Sequence, residues 1–402
     1  MAKKLMILGT ESGAGKSTIV TGLLRVLKRH GFRVSPFKSQ NMALNSYVTK
    51  DGSEMGRSQY VQAEAAGIEP DVCMNPILLK PNGNMTSQVI VGGNLRATLS
   101  SEDYRAYRKT LIPEVKLSLE HIEKKSDIVI LEGAGAAYEL NLRDGDISNM
   151  GMAEIANCPV VLVANIDKGG VFASIAGNLY LMSKKERDKI KGVIINKYRG
   201  RDGGFDDGKE LIEKLIGIKV LGIVPYKEFD LEGEDSLDIR QKKKTFSNDE
   251  SPRLKIMVVK LNHISNFTDF KPLENDSRVD LIYSLDKELI NQADLVIIPG
   301  SKNTVADLKQ IKLLGIDKEL LNRNAKGKYI MGICGGFQML GVDMTDNEGV
   351  ESEQKYARGL GILPIKSVFF SEKKLTNSTY KIDEDLRNIG LFKPLKGFSE
   401  KE

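Results

Sequence analysis

Short apolar runs closed by Gly, Asn or Pro recur through the first half of the chain: Leu5 to Leu8, Ile128 to Leu131, Val160 to Ile166, Val193 to Ile195 and Leu221 to Val224. Unbroken apolarity over so few residues predicts strands covered on both faces, as in a parallel sheet. Between the runs the spacing changes. Ser17 to His30 sets Ile19, Val20, Leu23, Leu24 and Leu27 on one face of a helix that stops at Gly31. The alternation predicts an α/β fold with helices on both faces of a parallel sheet.

The pattern lapses at Ile239-Arg240-Gln241-Lys242-Lys243-Lys244 and at Ser247-Asn248-Asp249-Glu250-Ser251-Pro252, a polar stretch ending in proline. A second strand series follows, at Ile256 to Leu261, Val279 to Tyr283, Leu295 to Ile298 and Tyr329 to Ile333. The expected organisation is a nucleotide-binding α/β domain over 1–235, a linker over 236–252 with Lys242-Lys243-Lys244 solvated, and a second α/β domain over 253–402. Internal repeats are not apparent.

Composition changes little in this picture. The 402 residues are enough for two or three domains, and 41% hydrophobic with 28% charged residues is ordinary for a globular chain. The net charge of +5 is spread along the sequence, whereas a nucleic-acid binder concentrates its basic residues on one element. Cys73, Cys158 and Cys334 are far apart and show no C-x-x-C spacing, which supports neither a disulfide framework nor a zinc site. Leu5 to Leu8 is too short for a signal-peptide core, and no run approaches the ~20 apolar residues of a membrane span. A reducing cytoplasm is the expected compartment, with no membrane or nucleic-acid partner.

Gly9-Thr10-Glu11-Ser12-Gly13-Ala14-Gly15-Lys16-Ser17-Thr18 lies between the first strand and the first helix, where a phosphate-binding loop belongs. Gly13 and Gly15 let backbone N–H groups close on phosphate oxygens. Lys16 can reach the outer phosphates, and the Ser17 hydroxyl can hold Mg²⁺. The strict pattern would place glycine at position 10, where Thr10 stands. Glu132 follows a buried strand at the edge where open α/β sheets bind ligands, which makes it a second candidate Mg²⁺ ligand. Asp167 occupies an equivalent strand end and is a candidate for metal, phosphate or substrate, with a turn-forming role as its equal rival. Asn196 is a weaker candidate for reading an adenine edge.

In the second half, Tyr329-Ile330-Met331-Gly332-Ile333-Cys334-Gly335-Gly336-Phe337 places a single cysteine at a tight turn from strand to helix. Such an elbow exposes sulfur above the sheet, lowers its pKa through the helix N-terminus and offers the Gly335 N–H to an oxyanion. Gly300, in Ile298-Pro299-Gly300-Ser301, is placed to complete the oxyanion hole. A small buried cysteine is the competing reading, and the flanking glycines argue against it.

Together these residues resemble the cobyric acid synthase family of glutamine-dependent amidases, along nearly the whole chain. The resemblance is carried by Pro36-Phe37-Lys38-Ser39-Gln40-Asn41-Met42-Ala43-Leu44-Asn45-Ser46, Met74-Asn75-Pro76-Ile77-Leu78-Leu79-Lys80-Pro81, Asn141-Leu142-Arg143-Asp144-Gly145-Asp146, Ile264-Ser265-Asn266-Phe267-Thr268-Asp269-Phe270 and the Cys334 elbow. It implies a dethiobiotin-synthetase-like P-loop ATPase domain followed by a flavodoxin-like class I glutamine amidotransferase domain. It further implies a ligase that uses ATP, Mg²⁺ and glutamine to amidate four peripheral carboxylates of adenosylcobyrinic acid a,c-diamide through acyl phosphates. Lys16 and Cys334 are then the catalytic groups, and Lys38, Asn41, Asn45 and Asp146 fall on the corrinoid side of the site.

The chain departs from the family pattern at Ala136-Ala137, where a Ser-Pro is usual, and at Asn165, where an Asp is usual. The family also runs about a hundred residues further, as a second domain of ordinary size requires, and carries its catalytic histidine there. A C-terminally truncated amidotransferase domain without glutaminase activity is therefore expected. His30 and His121 belong to the first half. His263 alone lies in the second, where facing the corrinoid or the domain interface is the favoured reading and substituting as the base the lesser one. Two alternative functions are a remnant that binds nucleotide without turnover and a P-loop ATPase switch acting on a protein partner. The Cys334 elbow and the corrinoid strings argue against the switch.

Overall fold

Strand Lys3–Gly9 lies inside a six-stranded sheet in the computed structural model, which describes residues 2–43, 45–81, 86–227, 243–247, 253–350 and 354–370. The order across this sheet is Val220–Pro225, Ile190–Tyr198, Val160–Asn165, Lys3–Gly9, Ile128–Glu132 and Val34–Phe37, all parallel. Parallel pairing sends every C-terminal strand end to one edge, where open α/β sheets bind ligands. Val160–Asn165 is buried at every position, which accounts for its continuous apolar sequence. Helix Lys16–Arg29 turns Ile19, Val20 and Leu24 onto the sheet and closes with Lys28 and Arg29 in its last turn, favourable against the helix dipole.

The edge strand Val34–Phe37 was not among the expected runs. Pro36 interrupts its pattern, and a strand proline is tolerated at a sheet edge because it has no N–H to give. An inserted sheet, also unexpected, joins Gln40–Met42, Ile77–Pro81, Thr86–Val91 and Asn94–Ser100. Its last hairpin turns on Gly92 and Gly93, with φ of 55° and 81°, the geometry that a Gly-Gly pair between strands signals. Under this sheet the buried Lys80 and Glu54 form an ion pair, and the Ser46 hydroxyl accepts from Lys80 at 2.8 Å and donates to Glu54 at 2.6 Å.

The expected second series forms its own parallel sheet, ordered Val279–Ser284, Leu254–Val259, Leu295–Ile298 and Tyr329–Gly332. Its core includes Phe246, and the Lys243 ammonium pairs with Asp280. Lys243–Ser247 was expected to be solvated linker. It packs on the second sheet instead, because Phe246 finds an apolar face there and Lys243 compensates a buried carboxylate. The rest of the stretch around it, including Lys242, lies outside the described residues, as does 371–402. Among the described residues no helix is long and apolar enough to cross a membrane.

Arg323, on helix Ile316–Ala325, has no surface in contact with solvent. Its guanidinium donates to the carbonyls of Ile290 at 2.7 Å, Ala293 at 2.9 Å, Asp294 at 2.6 Å and Tyr329 at 3.0 Å. Replacing it with an apolar side chain strands four carbonyls, each costing about 1–3 kcal/mol if left dry. Arg323→Met is therefore expected to lower the stability of this sheet by about 3 kcal/mol or more. Hydrogen exchange of the Leu295–Ile298 and Tyr329–Gly332 amides measures the loss, and unchanged protection would show the guanidinium to be dispensable.

Candidate functional site

Gly9 ends the strand that feeds the phosphate loop, and a Cβ there would stand 2.9 Å from the Glu11 carbonyl and 3.0 Å from Lys16 Nζ. The crowding explains a glycine at position 9, while Thr10 fits at position 10 with its carbonyl accepting from Asn178 at 3.0 Å. Gly13 and Gly15 adopt φ of 74° and 93°, open to glycine at little cost. Lys16 is buried, and its ammonium donates to the Gly135 carbonyl at 2.6 Å. Ser17 donates to Glu132 Oε1 at 2.9 Å, with Thr18 next in the same helix turn.

Glu132 is the crossing point of this edge. Only 1% of it is exposed, Lys38 Nζ lies 3.1 Å from the Oε1 that Ser17 also meets, and Gln62 Nε2 donates to Oε2. Ser17 and Glu132 would offer a hydroxyl and a carboxylate oxygen, hard donors that suit a hard cation. The donor set therefore fits Mg²⁺.

The other expected residues settle nearby with different partners. Asn41 is buried and donates to Gln59 Oε1 at 3.2 Å, while Asn45 is buried two residues before Tyr47. Asp146 accepts from the backbone N–H groups of Ser148 at 2.8 Å, Asn149 at 2.9 Å and Gly151 at 2.8 Å, so its carboxylate holds the start of helix Met150–Ile155. Asn196 donates to the Ala14 carbonyl at 2.9 Å and packs where a Cβ on Gly15 would sit. The same side chain thus buttresses the loop. Asp167 is likewise taken up by Arg199, whose guanidinium also stacks 3.4 Å above the Tyr226 ring. Asn165 donates to Glu11 at 3.2 Å, and the Ala137 N–H donates to the Gly9 carbonyl at 2.7 Å, so both departures from the family pattern are structurally accommodated.

Sequence reading missed several residues here. Asn149 accepts from the Ala134 N–H at 3.0 Å and donates to the carbonyls of Ala134 at 2.8 Å and Ala136 at 2.9 Å, fixing the loop that meets Lys16. Arg108 and Arg143 line a cavity of about 170 Å³ beside Gly135. Gln59 and Gln62 sit on helix Arg57–Ala66, inside no recognisable motif.

In the second half Cys334 is exposed and adopts φ 50° and ψ −112°, a conformation costing about 1–3 kcal/mol for a non-glycine residue. The turn is held by the Ile333 N–H on the Ile298 carbonyl at 3.0 Å and the Gly336 N–H on the Ile333 carbonyl at 2.8 Å. Gly300 and Gly335 are both brought to this elbow. A Cβ on Gly300 would stand 3.8 Å from Cys334 Cβ, and one on Gly335 would stand 3.0 Å from the Ser301 nitrogen. His263 Nδ1 lies 2.8 Å from Asp307 Oδ1, and Ser301 donates to Asp307 Oδ2 at 2.6 Å. Among the described residues no hydrogen bond joins His263 to Cys334.

A phosphate loop backed by a buried strand-end carboxylate, with a cysteine elbow in the same chain, defines the class: a P-loop nucleotide-binding protein carrying a glutamine amidotransferase domain. Residues 5–236 match the CobQ/CobB/MinD/ParA nucleotide binding domain, and residues 255–399 match the CobB/CobQ-like glutamine amidotransferase domain. The chain is 47% identical over 386 residues to a cobyric acid synthase of Caldanaerobacter subterraneus subsp. tengcongensis, covering 96% of this chain and 75% of that protein. It is 46% identical over 398 residues to one of Thermoanaerobacter sp., covering 97% and 78%, and 47% identical over 379 residues to one of Listeria monocytogenes, covering 94% and 74%. The chain belongs to the cobyric acid synthase family, ligases of cobalamin biosynthesis.

The His263–Asp307 pair generates a pH dependence. The hydrogen bond that the imidazole donates to Asp307 outweighs partial burial and raises His263 above its ordinary 6.5. The folded chain therefore holds a proton that the unfolded chain gives up, and the stabilisation is complete below the unfolded value and lost as pH rises through the folded one. Thermal stability of the second sheet is expected to fall as pH climbs from about 6.5, and His263→Gln is expected to flatten that slope. Parallel slopes in the two proteins would show that the pair does not carry it.

Proposed function

We propose that the chain uses ATP, Mg²⁺ and glutamine to convert peripheral carboxylates of adenosylcobyrinic acid a,c-diamide into carboxamides. The observation that carries the reading is the buried crossing of Ser17, Lys38 and Glu132 beside the phosphate loop, in a chain that also holds Cys334 at an exposed, positive-φ elbow. A carboxylate is a poor electrophile. Its oxygen attacks the γ-phosphorus of ATP, ADP leaves, and the resulting acyl phosphate accepts ammonia at carbon as phosphate departs. Lys16 stabilises the charge that develops on the transferring group. Mg²⁺, held by Ser17 and Glu132, neutralises phosphate charge when bound. Lys38, Asn41, Asn45 and Asp146 form the corrinoid side of the site, Gly13, Gly15 and Thr18 bind the nucleotide, and Asn196, which also braces Ala14, reads the adenine edge.

Ammonia comes from the second half. The Cys334 thiolate attacks the glutamine carboxamide, the oxyanion is met by the N–H groups of Gly300 and Gly335, ammonia leaves with a proton taken from water, and the hydroxide so formed cleaves the thioester to glutamate and frees the thiolate. With His263 held by Asp307, the slow proton delivery keeps this glutaminase step weak. These roles for Gly13, Gly15, Thr18, Asn45 and the residues above are the assignment to be tested. The division into a synthase unit over 1–235 and an amidotransferase unit from 253 is part of the same proposal.

Lys16→Ala is expected to reduce ATP-dependent amidation by about 10²–10³-fold whether glutamine or ammonium is supplied, since both routes need the acyl phosphate. Near-normal turnover with ammonium in a folded variant would remove Lys16 from the phosphoryl site. Any glutamine-dependent amidation by the chain, expected to be far weaker than its ammonium-dependent rate, should be abolished by Cys334→Ser with the ammonium-dependent rate left intact. Equal loss of both, in a folded protein, would make the elbow structural. ATP hydrolysis without any amidated corrinoid would favour the nucleotide switch.

A further inference from the structure

Away from the phosphate loop, a cavity of about 720 Å³ flanks the edge strand, with Arg33, Val34 and Ser35 in its wall. Asp71, Cys73 and His121 all line it, and one ligand-type atom from each, a carboxylate oxygen, a thiol sulfur and an imidazole nitrogen, lies within 4.8 Å of the others. Two elements bring them together. Asp71 and Cys73 belong to the turn at Val72–Met74, and His121 sits on helix Ile112–Lys125.

We propose that Asp71, Cys73 and His121 bind a divalent transition-metal ion, zinc by the chemistry of the donors, with water from the cavity as the fourth ligand. Thiolate and imidazole together select zinc-like ions over Mg²⁺ or Ca²⁺, and three protein ligands with an open fourth position is a recurrent zinc arrangement. The carboxylate is already oriented. Asp71 Oδ1 accepts the Cys73 N–H at 3.0 Å, which leaves Oδ2 facing His121 Nε2 at 2.9 Å. Such a hydrogen bond to the outer oxygen is how metal-binding carboxylates are commonly aimed.

Lys125 Nζ lies 3.0 Å from the same Oδ2, on a side chain that is 58% exposed. Its ammonium supplies positive charge to Asp71 without the metal and swings into water when the ion binds. The thiol proton passes to solvent as the Cys73 sulfur coordinates, and the hydrogen bond between His121 Nε2 and Asp71 Oδ2 gives way to two metal bonds, the imidazole keeping its one proton on Nδ1. The occupied site would tie the Val72–Met74 turn to the helix and brace the entry to the inserted sheet at Ile77. Neither the phosphate loop nor Cys334 contributes to it, so the proposal stands apart from the reading of the reaction.

The test is titration of the full chain with Co²⁺ as a spectroscopic substitute for Zn²⁺, with melting curves recorded with and without Zn²⁺. A thiolate-to-cobalt charge-transfer band is expected in the unmodified chain and expected to vanish in Cys73→Ser. His121→Ala should weaken Co²⁺ binding at least about tenfold. Lys125→Gln should tighten it about two- to fivefold, because a competing surface ion pair is gone. Zn²⁺ should raise the melting temperature of the unmodified chain and not that of His121→Ala. His121 is half-exposed, so its variant carries the test if Cys73→Ser fails to fold. Absence of the band in the unmodified chain, or Co²⁺ binding unaltered by His121→Ala, would overturn the proposal.

Discussion

A carboxylate buried at the C-terminal edge of a parallel sheet must be compensated, and the organisation of the first half follows from how Glu132 is compensated. Left unpaired, such a charge would cost several kcal/mol. Its partners come from three separate segments: Ser17 from the helix of the phosphate loop, Lys38 from the turn after the edge strand, and Gln62 from the helix Arg57–Ala66. Each bond therefore ties another piece of chain to the same sheet edge. The inserted sheet is anchored through this edge as well, since Asn75 donates to the Lys38 carbonyl at 2.9 Å and accepts the Gly56 N–H at 2.9 Å. The bonds from Ser17, Lys38 and Gln62 all end on the Glu132 carboxylate, while the buried Gln62 Oε1 has no partner of its own among the described residues.

Close backbone approach is the second constraint, and glycine meets it in both halves. Gly133 leaves room for Asn149 and Leu8 beside the loop that receives Lys16, and Gly336 lets the elbow helix pack onto the Ile298 carbonyl. Cys334 itself is not a glycine and holds its positive φ only because the hydrogen bonds of Ile333 and Gly336 over-determine the turn. Strain of this kind at an exposed sulfur is what an elbow requires, since a relaxed turn would let the side chain fold back toward the sheet.

The polar side chains around the phosphate loop divide their work between ligand-facing and loop-holding roles. Asn196 and Lys197 donate to the carbonyls of Ala14 at 2.9 Å and Gly13 at 3.0 Å, which braces the phosphate loop from the end of Ile190–Tyr198, two strands away from Lys3–Gly9. Asp146 and Asn149 do the same for the loop opposite. Preorganisation of this sort leaves less reorganisation to the moment when phosphate charge develops.

Local pattern was enough to read the parallel strands, the helix after the phosphate loop, the Cys334 elbow and the strand-end position of Glu132, because each rests on periodicity or on neighbours in sequence. The edge strand Val34–Phe37 escaped because Pro36 breaks its pattern, and the Gly92-Gly93 hairpin carried a turn signal that went unread among stronger ones. What no local pattern encodes is which distant polar groups meet. Glu132 is 70 residues from Gln62 and 94 from Lys38, and nothing in either neighbourhood names the other. The same holds for Asp71 and His121, which are 50 residues apart in the chain. Local pattern carries the elements and the chemistry available at their ends. That Asn196 and Asp146 hold backbone, that Asp167 pairs with Arg199, and that a thiol, an imidazole and a carboxylate share one cavity follows from the packed fold alone, because which polar groups meet depends on how distant segments pack together.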